Sequence, residues 1–179
     1  TCNEALLMEY LLNRTTDKKE RAWLINHFLE QFRTTVFRQT MFAEFELIAH
    51  TMAEQGQPLT RESLSKAYYE LNQKYYGAVC TVDENIANEW MRIPHFYRFY
   101  YVYVYATGLC AAVSLSDKIL SEGESAVRDY RKFLSAGCAV PPIDALKLAG
   151  IDMSSPEPIR RALGVFKDTL AQFKAVIMA

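Results

Sequence analysis

His95 and five tyrosines, Tyr97, Tyr100, Tyr101, Tyr103 and Tyr105, fall within one stretch, PHFYRFYYVYVYATG, residues 94–108. It holds five of the chain's 11 tyrosines and one of its three histidines. A hydrophobic core needs bulk, but it does not need hydroxyls. Either these phenols are hydrogen-bonded inside a large helical core, or they line a cavity where something polar binds. A phenol and an imidazole can both donate hydrogen bonds to an oxyanion, although nothing in the stretch supplies a nucleophile.

Other chemistry finds less support. His27 is followed by Phe28-Leu29-Glu30 and His50 by Thr51-Met52-Ala53-Glu54, so neither has the HExxH spacing that puts two imidazoles on one helical face. No single motif builds a complete zinc site. His27 reads as a satisfied core histidine in an apolar stripe, and His50 as a structural residue near a helix C-terminus, where positive charge is favoured. There is no GxSxG elbow and no glycine-rich phosphate loop; the seven glycines mostly close helices. Scattered carboxylates read as solvated helix faces.

The elements that must hold the aromatic stretch read as helices. One runs from about Cys2 to Asn13. Thr15-Thr16-Asp17 makes a turn and N-cap, with Glu20 near the reciprocal capping position. A long helix follows over 18–54, with a stripe of Trp23, His27, Phe28, Phe32, Val36, Phe37, Met41, Phe45 and Ile48 at a period near 3.6. Thr60 caps a helix over 61–76 that Gly77 closes. Asp83 caps a short helix over 85–91. Pro94 opens a helix to about Leu120, and further helices cover 124–135, 143–149 and a last stretch ending near Ile177. On the 94–120 helix, Tyr97, Tyr101 and Tyr105 share one face, and Phe96, Tyr100 and Tyr103 another. The alternation Tyr101-Val102-Tyr103-Val104-Tyr105 suits a strand, but the pattern runs too long for one and no second strand exists to pair with it.

The totals exclude several classes. The chain has 179 residues, half of them apolar and 13% aromatic, enough for a sizeable core and not a disordered composition. Lys plus Arg is 20 against 21 Asp plus Glu, with no block of like charge, so a nucleic-acid partner is not indicated. Residues 99–116 carry no charge, which is about the length of a membrane span, but their tyrosines, threonine and serines favour a buried helix, not a membrane one. Cys2, Cys80, Cys110 and Cys138 are far apart and make no CxxC pair, which fits free, mostly buried thiols in a reducing cytoplasm. The chain opens at Thr1 on a helical pattern without a signal peptide, which suggests a fragment or a processed chain.

The stretch HFYRFYYVYVYATG resembles a segment of the oligoendopeptidase F family, zinc peptidases related to thimet oligopeptidase. So do TCNEALLMEYLL at the start, FLSAG at 133–137 and LKLAGIDMSSPEPI at 146–159. Their order and spacing resemble the C-terminal part of such an enzyme, over essentially the whole chain. The resemblance implies an all-α fold: the multi-helix C-terminal part of a zincin-type helical body with a deep channel, with residues 1–179 forming a single segment of its catalytic domain. It implies a metalloendopeptidase of short peptides whose zinc is bound by an HExxH helix and a later glutamate. Those residues are absent here, so the ligands and general base are expected upstream of Thr1, this segment holds no metal ligand, and the isolated chain is expected to be inactive. Glu4 matches a second acidic position of the third-ligand helix and is implied to support a ligand histidine. His95 matches a histidine, and Tyr103 a tyrosine, that bind substrate and steady the tetrahedral oxyanion; Tyr100 and Tyr101 are the weaker matches. Arg98, Phe99 and Val104 depart from the family's pattern, which bears on substrate preference.

The implied partners are short peptides and the missing N-terminal portion of the same enzyme, in the cytoplasm. The alternative is a non-enzymatic helical module binding a peptide or partner helix in an aromatic groove. A metal requirement separates the two.

Overall fold

The computed structural model describes residues 1–178 and is helical, with no strand among them. The chain divides into two compact units, one made of Thr1–Arg33 with Thr107–Ala179, the other of Thr34–Ala106.

In the first unit, α1 spans Cys2–Arg14 and α2 spans Lys18–Gln31. Asp17 caps α2, its carboxylate accepting from the Glu20 N–H at 2.8 Å. The unit also holds most of α5 (Tyr103–Glu122), α6 (Glu124–Ala136), α7 (Pro142–Leu148) and α8 (Glu157–Met178). Leu12, Leu24, Ile25 and Leu29 form one core with Leu170 and Phe173 of α8. Ala111, Leu115, Ala149 and Ile151 form another, with Tyr130 and Phe133 against it.

The second unit positions the aromatic stretch. It contains α3 (Arg38–Glu54), α4 (Arg61–Tyr76) and two 3₁₀ helices, Glu84–Arg92 and Pro94–Tyr97. Thr60 closes a capping box on α4: its hydroxyl accepts from the Ser63 N–H at 3.1 Å, while its own N–H donates to the Ser63 hydroxyl at 3.0 Å. Met41, Phe42 and Phe45 of α3 pack on Tyr68 and Leu71 of α4 and on Ile93 and Val102.

The long helix expected over 18–54 passes through a π-helical turn at Phe32–Phe37, where Thr34, Thr35 and Val36 put three β-branched residues in a row. The wide turn resets the helical register, so one apolar stripe does not run straight through. Before it the buried residues are Leu24, Ile25, Phe28 and Leu29, within it Phe32 and Val36, and after it Met41, Phe42, Phe45 and Glu46. Trp23 and His27 therefore face outward, stacked at 5.7 Å with their planes 16° apart, and His27 is not a core histidine.

The helix expected from Pro94 to Leu120 begins only at Tyr103. Ile93, held extended before proline, is followed by one 3₁₀ turn; Arg98 is extended at φ −114°, and Tyr100 takes a left-handed φ of 45°. Residues 98–102 are thus irregular, and the two helical faces proposed for 94–105 do not exist as such. A left-handed non-glycine residue stores strain that recurs at ligand sites.

The cysteines are free, but two of the four, Cys80 and Cys138, are exposed, because they sit in the loops after Gly77 and Gly137.

Glu46 of α3 is only 4% exposed, and neither of its carboxylate oxygens has a hydrogen-bond partner. A buried acceptor left unpaired costs about 1–3 kcal/mol, more when charged. Glu46→Met is therefore expected to raise the stability of the 179-residue chain by about that amount, read as a higher urea midpoint at unchanged slope.

Candidate substrate-binding site

The turn at 93–97 and the first turn of α5 converge on one imidazole. His95 Nε2 lies 3.1 Å from the Tyr105 hydroxyl. The His95 ring stacks on Tyr101 at 5.8 Å with an 11° interplanar angle, and Tyr105 meets both rings edge-on at 5.6 and 5.7 Å. The Arg98 guanidinium sits 5.3 Å above the Tyr101 ring. Pro94 creates this arrangement by fixing the entry of the 3₁₀ turn, which turns His95 towards α5 while Phe96 goes into the core against Phe42 and Phe45.

The hydrogen bond to Tyr101, helped by burial, pushes the Tyr105 phenol above its ordinary range, and only the Arg98 charge opposes it. Tyr105 therefore keeps its proton at neutral pH. When His95 Nε2 is the donor, the Tyr105 oxygen accepts, and its O–H is left for Tyr101 or for a bound acceptor that takes the place of Tyr101. Such a relay, imidazole to phenol to acceptor, strengthens the terminal donor.

His95 and Tyr105 form one wall of a cavity of about 480 Å³. The other walls come from Thr35, Arg38, Gln39 and Phe42, and from Arg92, Ile93 and Pro94. Behind it lies an ionic hub. Glu89, 8% exposed at its side chain, accepts from Arg38 Nη2 at 2.7 Å, from the buried Tyr68 hydroxyl at 2.6 Å and from Arg92 Nη2. Burial opposes ionisation of Glu89, but the Tyr68 hydroxyl and the two guanidinium groups outweigh it and hold the carboxyl below its ordinary range. Burial and the bond to Glu89 push the Tyr68 phenol far up.

Of the residues singled out in the sequence, His95 and Tyr101 meet here. Tyr100 packs elsewhere, its ring 4.7 Å from His50 and 4.6 Å from Phe99. Tyr103 opens α5 with about half its surface exposed. Glu4 lies exposed in the first turn of α1. Tyr105 was named with the aromatic stretch but given no role, and Arg38 and Arg92 were not singled out. Tyr105 had a signal, its four-residue spacing from Tyr101; the arginines had none, since they come from distant segments.

No group of three or more His, Cys, Asp or Glu side chains that could hold a metal exists among the described residues. The described residues do not fit a zinc centre. No helix among them is long and apolar enough to cross a membrane.

Residues 1–165 match the model of peptidase family M3. The chain is 56% identical over 178 residues to the oligopeptidase PepF of Bacillus subtilis, and 41% identical over 177 residues to the group B oligopeptidase PepB of Streptococcus agalactiae. Each alignment takes in 99% of this chain, but only 27% and 30% of those proteins. The crystal structure of oligoendopeptidase-F from Enterococcus faecium superimposes with a TM-score of 0.95 at 45% identity, over 98% of this chain and 34% of that one. The chain thus spans about a third or less of the length of these relatives.

Proposed function

Because the chain belongs to peptidase family M3, we propose that it is the C-terminal part of the catalytic domain of a zinc metalloendopeptidase that hydrolyses short peptides. In this reading a zinc ion held by residues upstream of Thr1, where the general base would also lie, would activate the attacking water. The observation that carries the reading is the His95–Tyr105 pair, 3.1 Å apart and facing a cavity. Water attack on a peptide carbonyl puts negative charge on its oxygen. A fixed phenolic O–H, backed by an imidazole, stabilises that charge more than it stabilises the neutral carbonyl, and so lowers the barrier.

The residues of this chain then divide the work. Tyr105 donates to the developing oxyanion and His95 orients and polarises it. Tyr101 holds the imidazole plane by stacking, and the Arg98 guanidinium packs over the Tyr101 ring. Tyr103, for which the resemblance implies the oxyanion role, becomes a substrate contact at the start of α5 in this reading, Tyr100 is a substrate contact in the irregular stretch before it, and Glu4 supports a ligand histidine. The partners are short peptides and the N-terminal portion of the same enzyme, in the cytoplasm.

The test is hydrolysis of a short quenched peptide by the full-length protein. Cleavage is expected to stop on chelation and to return with zinc, while the 179-residue chain alone leaves the peptide intact. Chelator-insensitive cleavage, or none by the zinc-loaded full-length protein, overturns the reading; the latter leaves a peptide-binding helical module.

A further inference from the structure

The cavity beside His95 and Tyr105 carries more positive charge than the hub behind it neutralises. Two of the residues lining it, Arg38 and Arg92, are cations, and none is acidic. Their shared counter-ion, Glu89, stands outside the lining. One carboxylate faces two guanidinium groups, so the hub keeps one positive charge in excess, and that excess is presented to the cavity. Arg38 is held by its Glu89 bond and by the Phe42 ring, whose centroid lies 4.6 Å from the guanidinium carbon. Arg92 is 70% exposed at its side chain and can swing towards a ligand. A guanidinium has five N–H donors in a rigid fork, and that fork matches a carboxylate. Gln39 and Thr35 add neutral polar groups to the same wall.

We propose that this cavity is an anion subsite that seats a carboxylate of the peptide substrate, with Arg92 as the mobile clamp and Arg38 as the fixed one. The carboxylate is either the peptide's C-terminus or an acidic side chain within a residue or two of the bond held at Tyr105. This rests on the peptidase reading above, and it makes the enzyme sensitive to charge at one end of its substrate. Exposure of Arg92 means that salt weakens the preference.

The test is calorimetric binding to the full-length protein kept in chelator, where no turnover occurs. The probes are N-acetyl-Ala-Ala with a free C-terminal carboxylate, its C-terminal amide, and N-acetyl-Ala-Asp as the C-terminal amide. At least one of the carboxylate probes is expected to bind about tenfold tighter than the neutral amide, the size of one charge-assisted contact. Which of the two does so identifies the source of the carboxylate. Arg92→Gln, a change at an exposed position, is expected to abolish the preference, and Arg92→Lys to restore part of it. Equal binding of all three probes, or a preference that survives Arg92→Gln, overturns the proposal. Failure of the peptidase reading shows separately, as no zinc-dependent cleavage of any peptide; cleavage without a carboxylate preference sinks this inference alone.

Discussion

Tyr105→Phe in the full-length enzyme is expected to lower kcat by about two to three orders of magnitude, the measured scale for loss of one preorganised oxyanion donor. The ring and its edge-on contacts with His95 and Tyr101 survive the change, and only the hydroxyl 3.1 Å from Nε2 is removed. KM is expected to change little, because the hydroxyl acts on charge present only in the transition state. Tyr103→Phe is the matched control. The family resemblance assigns the oxyanion role to Tyr103, while the geometry pairs His95 with Tyr105. A larger loss for Tyr103→Phe than for Tyr105→Phe contradicts the role proposed for Tyr105 and returns it to Tyr103.

The second large effect falls on stability. Glu89→Gln is expected to destabilise the protein by about 3 kcal/mol, because it removes the negative charge that Arg38 and Arg92 share and turns one of the two acceptor oxygens into an amide donor facing Arg38 or the buried Tyr68 hydroxyl. The effect depends on pH with a definite sign. The Glu89 carboxyl is held below its ordinary range in the fold, so its contribution is fully present above the unfolded carboxylate pKa of about 4.3. It is lost as pH falls through the depressed folded value. Urea melts of parent and variant are expected to differ most at neutral pH and to converge in acid. A constant gap down to low pH contradicts a hub held by ionised Glu89.

Much of the fold was legible in the sequence because caps and breakers are local. Asp17, Thr60 and Gly77 mark helix ends, and each acts there as expected. The π turn at 32–37 was not plain, because Phe37 stands four residues before Met41 and keeps the apolar stripe at a helical period, although Phe37 itself lies exposed. The break at 98–102 was obscured by two signals that share residues. The strand-like alternation from Tyr101 to Tyr105 and the apolar helix beyond it overlap, and the helix takes over only at Tyr103. Nothing local signalled the left-handed Tyr100, since tyrosine has no special preference for that conformation.

The site was legible in part. His95 and Tyr101 stood out by type and spacing, and the Tyr101–Tyr105 contact followed from helical proximity even though the helix starts later than expected. Arg38 and Arg92 reach the same cavity from segments more than 50 residues apart, brought together by Glu89. Tertiary packing makes that juxtaposition, and no window of sequence contains it.

The measurement that tests the account most directly is zinc content and peptide turnover on one sample of full-length His95→Ala protein. The predicted result is about one zinc per chain, as in the parent, with turnover reduced at least as far as in Tyr105→Phe. Loss of zinc with His95, or parental turnover without it, contradicts a segment that supplies the oxyanion contacts and leaves the metal to residues upstream.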